Sequence, residues 1–181
     1  MEKPYKTILD PAEDEFVEKK SRFIAYTSPV HTVEEANAFI VGVRQRHWDA
    51  THNVPALVLR SGVQRSSDDG EPGGTAGMPV LDVLLKSGVQ DVCVVVTRYF
   101  GGILLGAGGL VRAYSHACSL ALEAAGVVTM APCAAMELTV DYSYYERVNN
   151  LLADHGARVQ NADFGAAVTL AYTMEETRLP A

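Results

Sequence analysis

The apolar and polar positions divide the chain into short alternating stretches and a few runs of helical period. Tyr5 to Leu9 reads as an edge strand closed by Asp10-Pro11. Glu15 to Lys19 and Arg22 to Thr27 read as two strands around a Lys20-Ser21 turn, although Lys and Glu are poor strand formers. Ala36, Phe39, Ile40, Val43 and His47 recur at helical spacing. That predicts a helix from Val33 to near Arg46, with Thr32 as its cap and Glu34 and Glu35 in its first turn. Asn53 to Arg60 alternates again, and Ser61 to Gly77 is a loop rich in Gly, Asp, Ser and Pro. Pro79 suits the first turn of a second helix, with Val80, Leu81, Leu84 and Leu85 as its apolar face and Gly88 just past its end. Val92 to Val96 is an unbroken apolar, mostly β-branched run, the pattern of a strand buried on both faces. Thr97, Arg98, Tyr99 and Phe100 follow it, then a glycine-rich loop. Helical periodicity resumes from Leu110 to Ala125, with Gly126 as the stop.

A break falls at Met130 to Ala134. Before it lies a closing strand, Val127 to Thr129; after it, Met136 to Asp141 alternates afresh. The remainder reads as helix (Tyr144 to His155), strand (Ala157 to Asp163), a turn at Gly165 and strand (Ala166 to Met174). The expected class is α+β in two domains, 1–132 and 133–181. The second has the β-α-β-β order of a ferredoxin-like split βαβ unit. A complete unit needs a further helix and strand, for which Glu175 to Ala181 is too short, so the natural chain is expected to continue past Ala181.

Composition narrows the function classes. The 181 residues are 48% hydrophobic and 20% charged, ordinary globular values. No apolar run is long enough to span a membrane. The charged start, MEKPYKTILDPAEDEF, has no secretion signal pattern. Three cysteines without Cys-x-x-Cys spacing are read as reduced thiols, and the expected location is cytoplasmic. A net charge of −7 argues against a protein that coats nucleic acid with its whole surface. A local basic face remains open: from Lys86 to Ala117 the bases are Lys86, Arg98 and Arg112, and the acid is Asp91.

Strand, glycine loop and helix in succession can aim backbone N–H groups at an anion. The glycines are Gly101, Gly102, Gly106, Gly108 and Gly109. The Walker A pattern fails, because Ala107 and Gly108 stand where Lys and Ser/Thr are required, and the dinucleotide pattern ends wrongly at Val111. Two readings stay open: the glycines serve close packing and positive-φ turns, or they admit a phosphate. In the acidic turn, Asp68, Asp69 and Glu71 either cap backbone N–H groups or pair with Arg98 or Arg112. They lack an EF-hand pattern. The histidines lack zinc spacing. Neither a metal nor a cofactor is expected.

Three segments carry a resemblance: SDDGEPGGTAG at Ser67 to Gly77, RYFGGILLG at Arg98 to Gly106, and GAGGLVRAY at Gly106 to Tyr114. Together they resemble the signature of the IMPACT/YigZ family. The resemblance implies a first domain like the second domain of small-subunit ribosomal protein five, and a second like a domain of elongation factor G. It also implies a kinship with eukaryotic regulators of translation. The expected function is therefore a non-enzymatic accessory factor that binds RNA, the ribosome or a translation factor. Arg98 and Arg112 would contact phosphate and Tyr99 or Phe100 would stack. Gly101, Gly102, Gly106 and Gly108 would allow close approach, with Asp68, Asp69 and Glu71 supporting the loop. The alternatives are an enzyme acting on a phosphorylated or nucleotide-like substrate, and a purely protein-binding regulator.

Overall fold

The computed structural model describes residues 3–179. They fall in two compact units, one of Tyr5–Met130 and one that groups residues 3–4 with those from Ala131 onward.

The first unit carries β1 (Tyr5–Thr7), β2 (Ala12–Glu18), β3 (Ser21–Pro29), α1 (Val33–Arg46), β4 (His52–Val58), β5 (Gln64–Ser66), α2 (Gly77–Ser87), β6 (Val92–Tyr99), α3 (Ala107–Ala125) and β7 (Val128–Met130). Five strands form one antiparallel sheet in the order β2-β3-β6-β4-β5; β1 pairs separately with β7. The β-branched run of β6 occupies the centre, and every residue from Val92 to Arg98 is buried. Side chains alternate across a strand, so β6 serves two cores. Val92, Val94 and Val96 pack with Val80 and Leu84 of α2 and Leu110, Tyr114 and Cys118 of α3. Cys93 and Val95 pack with Ala36, Ile40 and Val43 of α1. An antiparallel sheet covered on both faces results.

The helix ends follow the local chemistry. The Thr32 hydroxyl accepts the Glu35 N–H at 3.1 Å, and Gly88 closes α2 at φ 70°. Elsewhere the elements shift. The β2–β3 turn is Lys19-Lys20, both at positive φ, because Ser21 is already a fully buried residue of β3. Within the stretch expected to be loop, β5 pairs three residues with β4, too few to leave a periodic signature. Pro55 sits inside β4 and is tolerated because β5 pairs only from Ala56 onward; a proline has no ladder N–H to give.

The second unit holds β8 (Cys133–Val140), α4 (Tyr145–Asp154), β9 (Arg158–Phe164) and β10 (Val168–Glu175). The antiparallel sheet order is β8-β10-β9, so the last strand lies between the first two, as a split βαβ arrangement requires. Leu152 of α4 is buried with Val168 and Leu170 of β10. Single 3₁₀ turns occupy Tyr142–Tyr144 and Glu176–Arg178. The fold is α+β. Among the described residues no helix is long and apolar enough to cross a membrane.

Candidate functional site

The residues singled out from the sequence lie at the end of β6 where it enters the glycine loop, but they do not form one face. Arg98 continues the Val92, Val94, Val96 side of β6, whereas Tyr99 continues the Cys93, Val95 side. One residue apart on a strand means opposite faces of the sheet.

Arg98 is 5% exposed, not a surface cation. Its Nη1 donates to Glu71 Oε1 at 2.6 Å and its Nη2 to Ser21 Oγ at 3.3 Å. Its ion-pair partner is therefore Glu71, neither Asp68 nor Asp69, and the basic balance read from the sequence loses this charge to a buried pair. Tyr114 also donates to Glu71 Oε1, at 2.7 Å. Burial first, and the adjacent carboxylate second, push the Tyr114 hydroxyl far above the usual phenol range, so it stays protonated and can donate to Glu71. His52 completes the cluster. Its Nδ1 lies 2.7 Å from the Asp69 carbonyl oxygen; a carbonyl only accepts, so Nδ1 carries a proton and donates it. Its Nε2 then faces Glu71 Oε2 at 3.7 Å.

The acidic turn is structural in its hydrogen bonds. Burial alone would raise the Asp68 carboxyl, but N–H groups of Gly74, Gly77 and Ala76 donate to it and hold its pKa below the usual carboxylate value. It thereby caps the start of α2, whose own N-cap residue Ala76 has no side-chain oxygen to offer. Asp69 takes the Asn53 N–H and the Arg44 guanidinium, each at 2.7 Å. Among the described residues no three His, Cys, Asp or Glu gather as a metal site.

On the α1 side, Tyr99 belongs to a different network. Tyr26 Oη lies 2.7 Å from His47 Nε2, and His47 Nδ1 lies 2.8 Å from Tyr99 Oη, which donates to Asp49 at 3.1 Å. With the Tyr99 proton committed to Asp49, His47 carries its proton on Nδ1 and accepts from Tyr26. Burial, assisted by Arg46, lowers the His47 pKa and favours this neutral form.

The glycines divide by role. A Cβ on Gly101 would run into the Lys20 carbonyl group, because the loop lies directly against the β2–β3 turn and its N–H reaches Ser21 Oγ at 3.2 Å. Gly102 and Gly106 have positive φ, 82° and 73°, with open space around them. Gly108 lies beneath Arg112: a Cβ there would sit 3.6 Å from the guanidinium Nη1. We expect Gly101→Ala to destabilise the protein by about 3 kcal/mol, the upper end of the cost of forcing atoms into a packed site. Gly102→Ala should cost about 1–2 kcal/mol, the conformational penalty alone. Urea denaturation of both variants checks the order, and equal losses would contradict this contact.

Above the buried cluster a cleft of about 390 Å³ opens at the start of α3. Its polar lining includes His52, Glu71 and Arg98, and its apolar lining includes Phe100, Leu104 and Leu110. Gly106 and Ala107 bring the first turn of α3 to its wall. No side chain caps that helix, and its first N–H groups have no intrahelical acceptor. Arg112 is exposed on the neighbouring hollow with Phe16, Glu18 and His116. The arrangement can receive an anion at the helix start beside an apolar surface.

Ser21, His52 and Tyr114 were not singled out by sequence reasoning as members of this site. For Tyr114 a signal was present. It shares a helical face with Leu110, Ala113 and Ala117, and a tyrosine on a buried face requires a partner for its hydroxyl.

The Impact N-terminal domain model matches residues 19–122, and a domain of unknown function (DUF1949) matches residues 138–181. The chain belongs to the IMPACT family. It is 42% identical over 174 residues to IMPACT family member YvyE of Bacillus subtilis, covering 95% of this chain and 80% of that protein. It is 40% identical over 156 residues to IMPACT family member YigZ of Escherichia coli, covering 84% and 76%. A crystal structure described as that of a hypothetical protein superposes with a TM-score of 0.69 at 35% identity, covering 99% of this chain and 89% of the other. In this member of the family, the signature residues Glu71, Arg98 and Tyr114 are the ones that meet beneath the cleft.

Proposed function

We propose that the protein is a non-enzymatic accessory factor of translation that binds RNA through the glycine-loop end of its first unit. Its division into an IMPACT N-terminal domain (1–132) and a ferredoxin-like domain (133–181) belongs to the same reading. The observation that carries the proposal is the uncapped start of α3, open to the cleft, with the Arg112 guanidinium lying over Gly108. A helix N-terminus and an adjacent exposed arginine suit a phosphate group. Family membership supports a role in translation, since the resemblance to the IMPACT family implies a kinship with eukaryotic regulators of translation. In this reading Arg98 does not touch phosphate. It holds Glu71, Ser21 and thereby the loop in place. Tyr99 serves the opposite face of the sheet.

The test is a salt titration of single-stranded RNA binding by the wild type and by Arg112→Ala. Each phosphate contact adds about −0.7 to the slope of log affinity against log salt. The variant should therefore show a slope shallower by about 0.7, with an unchanged melting temperature. Equal slopes would remove Arg112 from the contact. If RNA is not bound even at low salt, the proposal fails.

A further inference from the structure

Resting on that RNA reading, we infer that the cleft holds one unpaired nucleotide. Its phosphate sits at the start of α3 and its base lies on Phe100 and Leu104, so the protein selects single-stranded over duplex RNA.

The uncapped helix accounts for the phosphate but not for the rest of the cleft. Two further observations do. The first is the apolar wall. Leu104 is 81% exposed and Phe100 is 45% exposed, and both line the same cleft as the helix start. A bare phosphate has no use for them, whereas a base presents a flat apolar face to such side chains. Phe100 is set in place before any ligand arrives. Its N–H donates to Thr51 Oγ1 at 3.0 Å, and its ring stands 5.4 Å from the Arg98 guanidinium carbon. The second is Arg98 Nε. Among the described residues it is the one buried side-chain nitrogen or oxygen without a hydrogen-bond partner, and it belongs to a side chain that lines the cleft. A buried donor left unpaired is costly, and a shift of the Arg98 side chain towards the cleft would bring it to the carbonyl oxygens and ring nitrogens of a base edge.

The dimensions select the form of the ligand. A cleft of about 390 Å³ has room for a single nucleotide and none for stacked base pairs. In a duplex the base edges are paired and the faces stacked, so neither is available. A strand with unpaired bases can turn one into the cleft while its backbone follows the exposed start of α3.

The experiment uses the full chain and two labelled RNAs of equal length, one an unstructured oligouridylate and one a blunt duplex, across a salt series that starts at low salt. Wild type should bind the single strand at least about tenfold more tightly than the duplex, the scale of one base–aromatic stack. Leu104→Ala, at a position exposed enough to leave folding intact, and Phe100→Ala should each erase most of that preference without changing the salt slope. Uridine monophosphate should compete for the site, and inorganic phosphate at the same concentration should not. Equal affinity for the two RNAs, or variants that leave the preference intact, would overturn the inference; if Arg112→Ala still lowers the salt slope, the RNA reading would survive it. Absence of any RNA binding would overturn both.

Discussion

Val95→Asp is expected to abolish cooperative folding of the first unit. Val95 is fully buried in the central strand, between Ile24 and Tyr26 of the neighbouring strand and Ala36, Ile40 and Val43 of α1. A carboxylate there must be buried unpaired or protonated, at a cost of several kcal/mol. The total stability of a domain is about 5–15 kcal/mol. Near-ultraviolet circular dichroism and urea titration report the outcome: loss of tertiary signal and a broad, non-cooperative transition. A soluble variant that melts in one sharp transition would contradict the two-sided burial of β6.

The second large effect is expected at Glu71. Its carboxylate is buried and accepts from both Arg98 and Tyr114. Glu71→Ala strands a buried guanidinium and a buried hydroxyl together, which should destabilise by about 3–5 kcal/mol. The diagnostic variant is the double replacement Glu71→Leu with Arg98→Met. Removing both charges eliminates the uncompensated ion, so the double variant should recover more than half of the single variant's loss. Tyr114 still lacks its acceptor, so recovery should be incomplete. Additive losses in equilibrium unfolding would mean that the two side chains are energetically independent.

The elements with strong local signals were legible from the chain alone. The central strand was marked by consecutive β-branched residues, α1 by Thr32, α2 by Gly88 and α3 by Gly126. What escaped was set by distant partners. The three residues of β5 become a strand only because Ala56, Leu57 and Val58 lie alongside them. The start of β3 at Ser21 depends on a hydroxyl needed by Arg98 and Gly101, 77 and 80 positions away. The site followed the same rule. The segment containing it was evident from the glycines and the RYFGG run, but placing Arg98, Tyr99 and Arg112 on one binding face ignores the alternation of the strand. Arg98 shares parity with Val92, Val94 and Val96, and that parity directs it to the core. Which acid would meet it there, Glu71 instead of Asp68 or Asp69, depends on the path of the loop from Asp68 to α2, where backbone N–H groups occupy Asp68.

The anchoring of the glycine loop bears on the entropy of ligand capture. Gly101 is wedged against the β2–β3 turn, and Gly106 is fixed by the Leu110 N–H that begins α3. Only residues 102–105 lie between these points, and even fully extended they reach about 14 Å. Ordering a residue costs about 1–2 kcal/mol, so a tether this short has little freedom left to surrender when Leu104 is covered. Affinity at such a site would come from the quality of the contacts, with little deducted for organising the chain. Lengthening the tether would weaken capture even if every contacting side chain were kept.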